Sequence, residues 1–120
     1  MTSTMFVRVV AWSLLIAIVV MTVVPASLRV VTGAPHNVEH ALVFLAMGIA
    51  FGLGYELRMT GSCAAAIVFC AALELLQVAV PGRHARLSDF LIDAAAACFG
   101  ISIAWLVGPL TQQLRVVDTK

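Results

Sequence analysis

Four apolar stretches, each close to the length of a membrane-spanning helix, make up most of this 120-residue chain. A helix that crosses lipid needs about 20 mostly apolar residues, because each residue rises about 1.5 Å through roughly 30 Å of hydrocarbon. Backbone groups in lipid must be hydrogen-bonded within their own segment, which favours helices. The sequence therefore predicts an all-α integral membrane bundle of four transmembrane helices with short loops, at residues 6–24, 37–57, 62–80 and 88–107.

The composition fits lipid better than water. Hydrophobic residues make up 62% of the chain and charged residues 11%, and the mean hydropathy is +1.08. Soluble domains carry about 45–50% apolar and about 25% charged residues, and a soluble fold of this size buries only about two thirds of the surface that its unfolded chain exposes. The length accommodates a single domain over residues 1–120, and the formal net charge of +1 does not favour nucleic acid as a partner.

Lysine and arginine favour cytoplasmic termini by a narrow margin. With four spans both termini lie on one side, and the more basic side is usually cytoplasmic. The terminal side holds Arg8, Arg58, Arg115 and Lys120, and the other side holds Arg29, Arg83 and Arg86. An alternative interpretation makes the first stretch a signal peptide, cleaved near Val24-Pro25-Ala26, but its apolar run is long for one and its N-terminal region carries a single positive charge, Arg8.

Small residues at helical spacing predict close packing between helices. Gly48 and Gly52 form a G-x-x-x-G pair in the second stretch, and Ala96 and Gly100 form a similar pair in the fourth. Such pairs let two helix backbones approach closely. The pattern serves equally for packing inside one bundle and for a homo-oligomer, and the sequence leaves that choice open.

The deeper polar residues are predicted to gather at one membrane face. Alternating helices bring the end of the first, the start of the second, the end of the third and the start of the fourth to that face. The residues concerned are His36, Glu39, His40, Glu74, Gln77, Arg83, His84, Arg86, Asp89 and Asp93. The opposite face offers Glu56 and Arg58, an ordinary solvated edge. This asymmetry predicts a site at the first face.

Glu74, Asp93 and His40 are the candidate catalytic residues of this site. An acid deep in a membrane helix costs about 2.5–3.5 kcal/mol on insertion scales and usually faces a cavity or a partner. We expect Glu74 and Asp93 to be near neighbours, so that one acts as an acid and the other as a base, with His40 orienting or relaying a proton. The alternative is a hydrogen-bonded network that only holds the helices in register.

Arg83, Arg86, Asp89 and Gln77 are the candidate substrate-binding residues. Guanidinium groups bind phosphate or carboxylate bidentately, so the basic turn that contains both arginines predicts an anion site. The alternative for the arginines is snorkelling toward lipid headgroups. The alternative for Asp89 is an acid in the first turn of a helix that Ser88 caps.

The histidines and cysteines do not favour metal binding. His36-Asn37-Val38-Glu39-His40 matches the H-x-x-E-H letters of inverted zinc proteases, but the context of a third ligand is missing. A hydrogen-bonded His40 at a helix entrance is the simpler interpretation. Cys63, Cys70 and Cys98 lack a C-x-x-C spacing and are predicted to be small buried side chains. We therefore predict neither a metal nor a cofactor.

Three successive motifs in the second half of the chain resemble the VanZ-like family of small membrane proteins. The motifs are Glu74-Leu-Leu-Gln77, Pro81-Gly-Arg83, and Ser88-Asp89 through Asp93 followed by Gly100. The resemblance covers roughly residues 36–105. It implies a four-helix membrane domain in a bacterial inner membrane, within a family named after a member linked to glycopeptide resistance, chiefly to teicoplanin. It implies no particular reaction.

The chain also departs from the family pattern. Residues 36 and 37 replace an acidic–basic pair, so that His40 is the matching residue of that motif. Asp93 stands where the family usually has asparagine, and Ala96-Ala97 where a glycine is common. These changes put the family's substrate contacts in doubt for this chain.

Two functional hypotheses follow from these residues. The first is a membrane protein that binds or acts on an anionic lipid-linked or cell-envelope component, such as an isoprenoid phosphate. The second is a non-enzymatic scaffold or partner subunit whose polar cluster is structural. No residue stands out as an activated nucleophile, so the sequence leaves open whether the protein is an enzyme.

Overall fold

The computed structural model describes residues 2–28 and 33–117, with side chains up to residue 110. This part of the chain forms four α-helices and one short 3-10 turn at Ala26–Leu28, and it contains no strand. The helices are α1 at Ser3–Val23, α2 at His36–Gly54, α3 at Met59–Val78 and α4 at Leu87–Val117. All four are long and apolar enough to cross a membrane. The predicted all-helical fold with four helices of spanning length is thus confirmed.

The helix boundaries agree with the predicted ones to within three residues in α1, α2 and α3, and they differ most at the end of α4. The helix α2 ends at Gly54, three residues early, because Tyr55 adopts an extended conformation. The helix α4 continues through Pro109 to Val117, although a glycine and a proline were expected to stop it. A proline removes one hydrogen bond to the preceding turn, and the turns on both sides of Pro109 remain helical.

The helices α2 and α4 run side by side in the same direction and have the most extensive contact in the bundle. The start of α2 meets the start of α4 where His40 contacts Asp93. The helix α1 packs against α2, and α3 packs against α4, while α1 and α3 have only a small contact with each other. The fold therefore leaves a gap between α1 and α3.

Glycines set the distance between α2 and α4. A Cβ atom on Gly48 would overlap the carbonyl oxygen of Ala97, and one on Gly100 would overlap the carbonyl oxygen of Leu45. A Cβ atom on Gly52 would lie 2.5 Å from that of Ala104. The G-x-x-x-G pair of α2 therefore packs within the bundle.

The outside of the bundle is apolar over most of its length. Buried residues make up at most 33% of any span, and large apolar side chains such as Leu75, Val78 and Phe99 are more than 60% exposed. The small core contains Phe44, Met47 and other residues around them. Contiguous exposed apolar surface of this extent is unfavourable in water, so the distribution fits a bundle surrounded by lipid.

The helix ends opposite the predicted site are held together by Arg8. Its Nε donates to the carbonyl oxygen of Gly54 at 2.7 Å, and its guanidinium lies 4.7 Å from the ring centre of Tyr55. The Tyr55 hydroxyl also accepts a hydrogen bond from the Trp12 indole at 2.8 Å. Trp and Tyr side chains are common at membrane–water interfaces. Arg29, Lys120 and the side chain of Arg115 lie outside the described residues, so the orientation remains a prediction.

Candidate functional site

A histidine and an aspartate join α2 to α4 at the predicted face. The Nδ1 atom of His40 lies 3.1 Å and 3.2 Å from the two carboxylate oxygens of Asp93. Asp93 is only 6% exposed. A carboxylate oxygen accepts hydrogen bonds, and we therefore assign to His40 the tautomer that carries its proton on Nδ1 and donates to Asp93.

A second histidine and aspartate lie one turn closer to the helix starts. His36 Nε2 is 3.7 Å from a carboxylate oxygen of Asp89. The rings of His36 and His40 are 4.2 Å apart between centres. The spacing of four residues in both helices therefore produces two parallel His–Asp pairs, an outer one and a buried one.

Arg83 closes the end of α1. A turn precedes it, in which the carbonyl oxygen of Val80 accepts a hydrogen bond from the Arg83 backbone N–H at 3.2 Å. Pro81 and Gly82 occupy the middle of this turn, and Gly82 has φ of 77°, as a type II turn requires. The Arg83 guanidinium then donates to the carbonyl oxygens of Met21 at 2.6 Å and Val24 at 3.0 Å. These carbonyls lie at the end of α1, where no intrahelical donor remains.

Glu74 holds the start of α4 through the backbone. Its carboxylate accepts a hydrogen bond from the backbone N–H of Arg86, whose side chain is exposed. Ser88 was expected to cap α4, but the helix begins one residue earlier, and the Ser88 hydroxyl donates to Asp89 at 3.2 Å. The predicted neighbours Glu74 and Asp93 thus have different hydrogen-bond partners.

A cleft of about 620 Å³ lies between α1, α2 and α3. Its walls are apolar: α1 contributes Leu14, Ala17, Ile18 and Met21, and α2 contributes Leu42, Val43 and Phe44. Leu42 is 59% exposed, so the cleft opens on the outside of the bundle. Small-molecule binding sites usually have volumes of about 300–1,000 Å³, so the volume of this cleft is in the range of such sites.

Polar side chains converge at one end of this cleft. They are Thr22, Glu39, His40, Gln77, Arg83 and Asp93. The Thr22 hydroxyl donates to the Ile18 carbonyl oxygen at 2.8 Å. Gln77 is only 7% exposed, and its side-chain amide has no hydrogen bond to any other described residue. This amide is therefore available to a molecule in the cleft.

Four of the seven predicted site residues line the cleft: His40, Asp93, Gln77 and Arg83. The other three do not line it: the Glu74 carboxylate is bonded to the backbone of Arg86, and Asp89 lies 3.7 Å from His36. Their functional roles remain predictions.

Two polar residues that line the cleft were not among the predicted site residues. Glu39 directly precedes His40 in the first turns of α2, and it had already been grouped with the polar residues of this face. Thr22 carried no sequence signal, since a threonine that bonds to its own helix fits an apolar stretch equally well.

Metal binding has no geometric support among the described residues, in which no three His, Cys, Asp or Glu side chains are grouped so that they could hold a metal ion. The cysteines are free, with Cys70 buried and Cys63 and Cys98 partly buried.

Comparisons of the chain with protein-family models, with curated proteins and with solved structures found no match.

Proposed function

We propose that this chain is an integral membrane protein that binds an anionic membrane lipid in the cleft between α1, α2 and α3. One observation carries the proposal: the cleft joins apolar walls to a polar end at one end of the helices. A lipid likewise combines apolar chains with a polar head group. In the cleft, the chains would lie against the apolar walls and the head group at the polar end. The proposed setting is a bacterial inner membrane with cytoplasmic termini.

Arg83 is the proposed contact for the anionic group. Arg83 is the arginine that lines the cleft, and guanidinium groups bind phosphate well. The resemblance to VanZ-like proteins supports a cell-envelope lipid, such as an isoprenoid phosphate. Arg86 lies on the same turn with an exposed side chain, and its proposed role is attraction of anionic head groups toward the cleft.

A catalytic form of the proposal assigns proton transfer to the His40–Asp93 pair. The carboxylate orients the imidazole through Nδ1, and this leaves Nε2 able to accept a proton. Glu74 is less suited to this role, because its carboxylate is bonded to the turn before α4 and is not among the residues that line the cleft.

The second candidate is a structural protein whose polar cluster only holds the helices in register. It is favoured by the fact that several of the polar groups already have protein partners: Asp93 has His40, Glu74 has the Arg86 backbone, and Arg83 has the end of α1. A homo-oligomer or a complex with another membrane protein would fit this candidate.

Lipid binding to the delipidated, purified protein distinguishes the two candidates. Native mass spectrometry would measure the affinities of a long-chain isoprenoid phosphate and of dioleoyl phosphatidylpropanol, which are anionic, and of dioleoyl phosphatidylcholine, which is zwitterionic. We expect the anionic lipids to bind more tightly by about tenfold.

A cleft-filling variant provides the matched control. Ala17 lines the cleft, whereas Ala72 is exposed on α3 and does not line it. Ala17→Phe should remove most of the lipid binding, and Ala72→Phe should not change it. Equal lipid binding by all three proteins would favour the structural candidate.

A further inference from the structure

The partly buried His40 has an unused acceptor. Since Nδ1 of His40 donates to Asp93, the neutral imidazole carries its lone pair on Nε2. Within the described part of the chain, no group hydrogen-bonds to this atom. His40 lines the cleft, so a ligand there can donate to Nε2.

The Gln77 amide adds one acceptor and two donors at the same end. It is more than nine-tenths buried, lines the cleft, and has no side-chain partner among the described residues. The amide is thus a group that a bound ligand would satisfy.

His40 Nε2 and the Gln77 amide are the groups at the polar end that a ligand can satisfy. Nε2 accepts one hydrogen bond, and the Gln77 amide supplies one acceptor oxygen and two N–H donors. A phosphate diester only accepts hydrogen bonds, and it therefore cannot pair with His40 Nε2 or with the Gln77 amide oxygen. A hydroxyl donates one hydrogen bond and accepts others, so it matches both His40 and Gln77.

We infer that the cleft selects, among anionic lipids, those whose head group carries hydroxyls in addition to the phosphate. The hydroxyls would donate to His40 Nε2 and pair with the Gln77 amide, while the phosphate lies toward Arg83. This inference rests on the proposed lipid-binding function and adds the chemical class of the head group.

A pair of lipids isolates the hydroxyls. Dioleoyl phosphatidylglycerol and dioleoyl phosphatidylpropanol have the same chains, charge and number of head-group carbons, but only the first has free hydroxyls. Competition between them for the delipidated wild-type protein, followed by native mass spectrometry, should show a preference of about tenfold for phosphatidylglycerol. Equal affinities would overturn the inference while leaving the lipid site intact. Absence of binding by either lipid would overturn the proposed function itself.

Two variants assign the preference to the named atoms. His40→Asn keeps a donor near the Nδ1 position for Asp93 but removes Nε2, and Gln77→Met replaces the amide with an apolar chain of similar length. Each should reduce the preference to about threefold or less. Gln77→Met should also leave the thermal unfolding temperature unchanged or raise it, because it removes an unpartnered polar group.

The control is His36→Asn, since His36 does not line the cleft; it should retain the wild-type preference. An unchanged preference in both folded test variants, or a loss of the preference in the control as well, would overturn the assignment.

Discussion

Arg83 donates a hydrogen bond of 2.6 Å to the carbonyl oxygen of Met21 and thereby ties the turn after α3 to the end of α1. The same NH2 group reaches the carbonyl oxygen of Val24 at 3.0 Å. A cation at this position also interacts favourably with the negative end of the helix dipole. Because α1 and α3 have little other contact, this arginine holds the polar end of the cleft together.

Replacement of Arg83 by lysine should weaken the bundle although it keeps the charge. Both hydrogen bonds come from one terminal guanidinium nitrogen, and a lysine side chain is too short by about one bond to place its ammonium there, so we expect a loss of about 1–2 kcal/mol in the free energy of unfolding. Unfolding in mixed detergent micelles, followed by circular dichroism, measures it. Arg86→Lys is the control, because the Arg86 side chain is exposed, and it should change stability by less than about 0.5 kcal/mol. Similar losses in both variants would contradict a specific role for Arg83.

Gly48→Ala should disrupt the contact between α2 and α4. The added methyl group would overlap the carbonyl oxygen of Ala97, a backbone atom that cannot move without shifting the helix. We expect a loss of about 1–3 kcal/mol or more, as for other overpacked sites. Gly61→Ala is the matched control, since a Cβ there meets no atom within 4 Å. It should be neutral or stabilise the protein by up to about 1 kcal/mol. A neutral Gly48→Ala variant would show that the two helices lie farther apart than described.

The two His–Asp pairs should differ in their contribution to stability. Asp93→Ala leaves the His40 donor without its partner at a partly buried position and should cost about 1–3 kcal/mol. Asp89→Ala removes a longer and more exposed contact, so it should cost about 0–1 kcal/mol. Asp93→Asn retains an acceptor oxygen, and its cost should lie below that of the alanine variant. Thermal unfolding of the three purified variants tests this order, and a larger loss for Asp89→Ala would contradict it.

Cysteine labelling tests the arrangement in the membrane. In a background in which Cys63, Cys70 and Cys98 are replaced by alanine, cysteines would be introduced at Thr2, Glu56, His84 and Lys120. A membrane-impermeant maleimide applied to intact cells or spheroplasts should label His84→Cys alone, because the termini and the α2–α3 connection are predicted to be cytoplasmic. Labelling of the two termini from opposite sides would rule out four spans. Labelling of all positions except His84→Cys would reverse the orientation.

Much of the fold could be predicted from local sequence. Apolar runs of nearly 20 residues specify helices because backbone groups in lipid have no other partners, and Pro25 and Pro81 mark two of the helix ends to within a few residues. The alternation of helix direction also predicted that His40 and Asp93, which are 53 residues apart, lie at the same end of the bundle.

The partners of the polar side chains could not be predicted in the same way. Glu74 and Asp93 were expected to be neighbours, yet Glu74 bonds to the backbone of the next turn and Asp93 to His40. Helical periodicity states which residues share a face of one helix, but it does not state which helix that face meets. That choice depends on the rotation of each helix about its axis, which packing decides.

The sequence by itself determined the number of helices, their approximate ends and the end of the bundle that carries the polar residues, since these depend on hydropathy and chain direction alone. Only the tertiary structure decided that Gly48 and Gly52 face α4, and that a cleft remains between α1 and α3. The physical reason is close approach: glycines allow α2 and α4 to pack backbone to backbone. The helix α1 then packs against α2 and α3 packs against α4, with only a small contact between α1 and α3.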